Sequence, residues 1–118
     1  MTEQEAFYKE NRKERGQEDI LLSARLGGEA LWRIRPMSQR ENEELWKGCG
    51  KDAGRYEGAV LAASVCFPDL RDAALQNSYG AVGAAGLLAR MLLPGEYDYL
   101  RQAVEKINGG DAACTECI

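Results

Sequence analysis

The chain has no histidine, only three prolines and two phenylalanines, and no apolar run close to the ~20 residues that cross a bilayer. The missing imidazole excludes Ser-His-Asp and Cys-His catalysis, together with His-ligated zinc and iron sites. Carboxylates, lysine, tyrosine and cysteine are left for proton transfer at neutral pH. There is no G-x-x-x-x-G-K-[ST] phosphate loop, and no G-x-G-x-x-G that follows a strand. Gly80, Gly83 and Gly86 recur at three-residue spacing without a preceding strand. Gly80 therefore reads as a helix stop and Gly86 as a close-packing position. A basic stripe is also missing. Fifteen Lys and Arg face nineteen Asp and Glu, a net charge of −4, which argues against nucleic acid as a partner. The first residues, Met1-Thr2-Glu3-Gln4-Glu5, are acidic and lack an apolar signal core. The expectation is a cytoplasmic protein with reduced thiols and no membrane contact.

The 118 residues, 45% hydrophobic and 29% charged, suit one globular domain with one core. Residues 1–18 form a charged N-terminal arm. Its run Lys9-Glu10-Asn11-Arg12-Lys13-Glu14-Arg15 reads as a solvated helical turn or a mobile arm. The other reading is a docking arm with Phe7 and Tyr8 as anchors. Residues 19–110 form the domain, with a β-hairpin at 19–37 and helices over 38–109. Ile20, Leu22, Ala24 and Leu26 alternate, as do Trp32, Ile34 and Pro36, with Gly27-Gly28 as the tight turn. A lone hairpin is marginal in water, so the helices must cover one face of it.

Five short helices are expected. Ser38-Gln39-Arg40-Glu41 is a capping box that opens a helix to about Cys49, with Leu45, Trp46 and Cys49 as its stripe. The loop Gly48 to Gly54 follows. A central helix runs from about Arg55 to Cys66 and buries Tyr56, Val60, Ala63 and Phe67, widened by Leu61 and Val65, until Pro68 stops it. Asp72 caps a short helix closed by Gly80. Ala84, Leu87, Leu88, Met91 and Leu92 mark a fourth helix, Val82 to Leu93. After Pro94-Gly95, the last helix buries Tyr97, Leu100, Val104 and Ile107 and ends at Asn108-Gly109-Gly110. Residues 111–118 have no periodicity and read as a flexible tail. The fold class is mainly α (α+β), an N-terminal β-hairpin packed on a bundle of about five short helices.

Cys114-x-x-Cys117 has zinc-knuckle or redox spacing, and Cys49 and Cys66 could complete a four-thiolate site. The plainer reading is two ordinary thiols and an unstructured tail, with no metal and no cofactor. An enzyme would have to use Glu41, Glu43, Glu44, Glu57, Asp69, Asp72, Glu96 or Asp98. These fall mostly at helix caps or on solvent-facing positions, and no pair is marked as sharing an apolar pocket. No catalytic residue is assigned.

Leu75-Gln76-Asn77-Ser78-Tyr79-Gly80 and Met91-Leu92-Leu93-Pro94-Gly95-Glu96-Tyr97 resemble two blocks of the XkdN-like tail assembly chaperones of tailed phages and prophages. Phe7 to Asn11, Trp32 to Ser38 and Phe67-Pro68-Asp69-Leu70 fit the same family in order and spacing, so the resemblance runs from about Phe7 to Gly109. The Cys-containing tail and the short Gly48–Gly54 loop depart from it. The resemblance implies a non-catalytic protein of the host cytoplasm, absent from the mature virion. Such a chaperone coats the tape measure protein and keeps its apolar helical segments soluble until the tail tube assembles. The implied partners are the tape measure protein and the tail tube protein, with homo-oligomerisation open. The expected partner contacts are Phe7, Tyr8, Leu31 and Tyr99, apolar residues that the core does not need. A head–tail connector, or a small zinc or redox module on the cysteines, is the alternative.

Overall fold

A computed structural model describes residues 2–12 and 16–109. Among these, two single turns of 3-10 helix, Glu5–Phe7 and Lys9–Asn11, precede the body. The body runs β1 (Glu18–Ile20), β2 (Trp32–Ile34), α1 (Gln39–Gly48), α2 (Ala53–Ser64), β3 (Val65–Phe67), α3 (Ala73–Ser78), α4 (Ala84–Met91) and α5 (Pro94–Asn108). The fold is mainly helical with an N-terminal antiparallel sheet, as the periodicities predict. Cys114, Cys117 and the tail 111–118 lie outside the described residues.

The hairpin exists, but in a different form. Ile20 pairs with Trp32 and Glu18 with Ile34, so each strand is only three residues long. The connection is not a two-residue turn. It is two successive turns, closed by Leu26 N–H to the Ser23 carbonyl (3.1 Å) and Ala30 N–H to the Gly27 carbonyl (3.1 Å). Gly27 and Gly28 supply positive φ values of 74° and 64° in the second turn. Leu22 leaves the strand and still reaches the core.

A third strand was not expected. The helical period of Tyr56, Val60, Ala63 and Phe67 reads on to Cys66, yet α2 stops at Ser64. Val65-Cys66-Phe67 then pairs with the open edge of β2. The ladder shifts by one residue between Arg33 and Ile34: Val65 lies opposite Ile34 and Phe67 opposite Arg33. Side chains alternate across a strand, so this shift keeps Val65 on the core face and turns Phe67 to the face of Arg33. Phe67 is 52% exposed, not buried, and Val60 is only half-buried. The buried face of α2 is rotated to Leu61, Ala62 and Ser64. The Ser64 hydroxyl is satisfied by the Val60 carbonyl at 2.8 Å.

Capping fixes most helix starts. Ser38 accepts from the Glu41 N–H (3.1 Å), Asp52 from Arg55 (3.1 Å) and Asp72 from Leu75 (3.0 Å). The Ser38 box is only half formed, because the Glu41 carboxylate turns to the Arg35 guanidinium at 2.5 and 3.1 Å. The Asp52 cap starts α2 at Ala53, which places Gly54 inside the helix rather than in the loop. The fourth helix is shorter than its apolar pattern, since Gly83, with φ 81°, caps α4 and leaves Val82 in solvent. Gly86 is no close-packing site, as nothing lies within 4 Å of where its β-carbon would be. That role falls to Gly58 on α2, where an added β-carbon would stand 3.4 Å from Ala85 on α4. α4 ends at Met91, and Pro94 is itself the first residue of α5, so the last helix starts at Pro94 and not after Gly95.

Trp32 and Ile34 are buried against Leu61, Leu87, Leu88, Leu100 and Val104 in one core. Trp32→Ala is expected to cost about 3–5 kcal/mol, whereas Phe67→Ala should cost about 0.5 kcal/mol or less, as an exposed position does. Urea denaturation of the two variants checks both values. A near-neutral Trp32→Ala, or a Phe67→Ala as costly as it, contradicts this placement of the strands.

Candidate functional site

A mainly apolar groove of about 240 Å³ lies on the body. One wall is the β1–β2 connection, with Leu26, Gly27, Ala30 and Leu31. The opposite wall is α3, with Leu75 and Tyr79. Trp32 and Met91 lie at the floor, and Phe67-Pro68 closes one side. Leu31 is 47% exposed and Phe67 52% exposed, so two large apolar side chains stand in water at this edge.

Each wall is held by a polar side chain that reaches across the chain. Gln76 anchors α3. Its amide NH2 donates to the Leu70 carbonyl (2.8 Å) and its side-chain oxygen accepts from the Gly83 N–H (3.2 Å). Its backbone carbonyl accepts from Ala81 at 2.9 Å. Leu75 and Tyr79 are thereby fixed toward the groove. Arg25 anchors the other wall. Its guanidinium donates to the Met91 carbonyl at the end of α4 (3.0 Å) and to the Glu96 carboxylate in the first turn of α5, through Nε (3.1 Å) and Nη2. Glu96 also accepts from the Leu93 N–H at 2.7 Å. One guanidinium thus satisfies a carbonyl that the end of α4 leaves open and a carboxylate that favours the start of α5. The Glu96 side chain is only 12% exposed. Arg25 first, then the Ser23 hydroxyl and the Leu93 N–H, hold its carboxyl at about 2, far below the ordinary 4.5.

A larger groove of about 380 Å³ lies between α1, α2 and α5. Its polar groups already serve one another. The Tyr56 hydroxyl donates to Asn42, and Asn108 accepts from the Met37 N–H at 2.8 Å. Arg101 pairs with Asp98 (2.6 Å), Glu105 (2.8 Å) and, more loosely, Glu57 (4.0 Å). Tyr56–Asn42 joins α2 to α1, Met37–Asn108 joins the start of α1 to α5, and Arg101 braces α5 and reaches α2. The apolar groove is the better candidate despite its smaller size.

Of the residues expected to touch a partner, Leu31 alone lines the apolar groove. Tyr99 is half exposed on α5 and lines a separate depression with Glu18, Ile20, Gln102, Ala103 and Lys106. Phe7 and Tyr8 lie exposed on the N-terminal turns. The four residues are therefore not one patch. Phe67, Leu26, Leu75 and Tyr79 escaped the sequence reading. Phe67 carried a usable signal, since a short β-prone run ending at a proline reads as a strand as well as a helix end.

No lysine, arginine, carboxylate or thiol lines the apolar groove, and of the groups left for proton transfer its lining holds the Tyr79 hydroxyl alone. The carboxylates weighed for catalysis are engaged elsewhere: Glu41 with Arg35, Asp69 and Asp72 with backbone N–H groups, and Asp98 with Arg101. Cys49 and Cys66 are free and half-buried. Among the described residues, no group of three Cys, Asp or Glu could hold a metal ion, and no helix is long and apolar enough to cross a membrane.

A family model described as phage XkdN-like tail assembly chaperone protein matches residues 4–118. Among solved structures, a crystal structure of the protein YqbN has a TM-score of 0.79 with 18% sequence identity, covering 90% of this chain and 95% of that one. At that identity the likeness speaks for the fold alone. No curated protein matches the chain.

The Arg25–Glu96 pair sets a pH dependence. The fold favours the Glu96 carboxylate, so its contribution to stability is complete above the ordinary value of 4.5 and is lost as pH falls through about 2. Across that window the denaturation midpoint of the wild type should fall more steeply than that of Glu96→Gln. Equal slopes for the two proteins contradict the clamp.

Proposed function

The chain belongs to the phage XkdN-like tail assembly chaperone family, and from that premise we propose that its groove holds apolar segments of a tape measure protein until the tail tube assembles. The observation that carries this reading is the groove itself, with Leu31 and Phe67 standing exposed at its edge and no titratable acid or base beyond the Tyr79 hydroxyl in its lining. A preformed apolar groove takes the apolar face of a helix with little rearrangement. About 240 Å³ admits only a few side chains, so each contact is weak. Many copies along one long partner supply the avidity, and weak single contacts let tail tube subunits displace them. The protein works without catalysis, in the host cytoplasm, and leaves before the virion is complete. This reading takes the place of the head–tail connector, the main alternative in the sequence.

Co-expression with a tape measure protein from the same phage or prophage provides the test. The wild type should keep that protein soluble and co-elute with it on gel filtration. The double variant Leu31→Asp/Phe67→Asp should lose at least ten-fold in recovered complex while keeping the wild-type circular dichroism spectrum, a loss equivalent to about 1.4 kcal/mol or more. An equally insoluble tape measure protein with and without the chaperone, or full holding by the double variant, rejects the proposal.

A further inference from the structure

The groove has a second candidate occupant in the chain's own N-terminal turns. Phe7 is 83% exposed, and no residue of the Glu5–Phe7 turn is buried. Tyr8, its neighbour, is about half exposed. The turn carries hydrogen bonds of its own. Thr2 accepts from the Glu5 N–H (3.2 Å) and donates to the Glu5 carboxylate (3.0 Å). Phe7 N–H donates to the Gln4 carbonyl (3.1 Å) and Tyr8 N–H to the Glu5 carbonyl (3.0 Å). Two adjacent aromatic side chains are thus presented on a preset turn.

We propose that Phe7 and Tyr8 of one copy seat in the apolar groove of a second copy of this chain, which covers Leu31 and Phe67 while no client is present. Three observations choose this occupant. The groove is apolar and, at about 240 Å³, admits a few side chains, which two adjacent aromatics supply. Charge favours an encounter between copies. Residues 9–15, directly after the two aromatics, hold four cations and two carboxylates, and the rest of the chain holds eleven cations and seventeen carboxylates. The turn also leaves its own groove open, since Phe7 stays in solvent.

Turn and groove are different surfaces, so each copy carries one of each and the contact is head-to-tail. Two side chains bury far less than the ~1,000 Å² of a stable interface. The association is therefore weak and concentration-dependent. An apolar segment of the client competes for the same groove and releases the neighbour.

Light scattering after gel filtration, over a range of loading concentrations, tests this. The wild type should rise above the 13.0 kDa monomer with concentration. Phe7→Ser/Tyr8→Ser should remain a monomer, and so should Phe67→Asp, with Leu31→Asp as the substitute if Phe67→Asp misfolds. Mixing the turn variant with the groove variant should restore association, limited to a one-to-one pair, because only one intact turn meets one intact groove. A wild type that is monomeric throughout overturns the proposal. So does either variant that still associates like the wild type. A mixture that stays monomeric also overturns it. Holding of the tape measure protein is measured separately on the wild type, so failure of self-association and failure of client binding are read separately.

Discussion

Three strands of three residues each cannot stand alone in water, and everything else in this domain answers to that fact. Trp32 and Ile34 point from the middle strand into the helices, 3% and 0% exposed. Both edges of β2 are paired, one by the preceding segment and one by the chain that leaves α2. The helices supply the cover in a small space. α2 approaches α4 closely because Gly58 faces Ala85, and Leu87 and Leu88 then fill the layer against the sheet. The apolar groove is the margin of this arrangement, where the cover ends before the apolar surface does.

Polar side chains decide where that margin lies. Gln76 uses both ends of its amide and its own carbonyl to tie three points of the chain around α3. Arg25 joins a loop to the corner between α4 and α5. The two family-like blocks gain a physical meaning here. Gln76 and Tyr79 belong to the first, Met91 and Glu96 to the second, and together they build and brace the groove. Residues with no chemistry of their own thus become the ones that shape the surface.

Much of the architecture was legible because local signals agreed with the global fold. Ser38 and Asp72 mark helix starts, Gly80 marks a stop, and Leu100, Val104 and Ile107 form a stripe that the structure buries. The failures share a cause. Val65 to Phe67 continues a helical period by accident of spacing, and only the empty edge of β2 makes it a strand. The one-residue ladder shift that exposes Phe67 is a property of paired strands and leaves no mark in either strand alone. The groove was illegible for the same reason. Its walls come from residues 26–32, 67–79 and 91, and no local window contains them.

The bond between Arg25 and Glu96 spans 71 positions of sequence. During synthesis the loop that carries Arg25 leaves the ribosome well before its anchor does. Until α5 has emerged, Leu26 and Leu31 have no fixed wall to belong to, and the groove does not exist as a shape. A helix made 71 positions later thus fixes the place of Leu26 and Leu31.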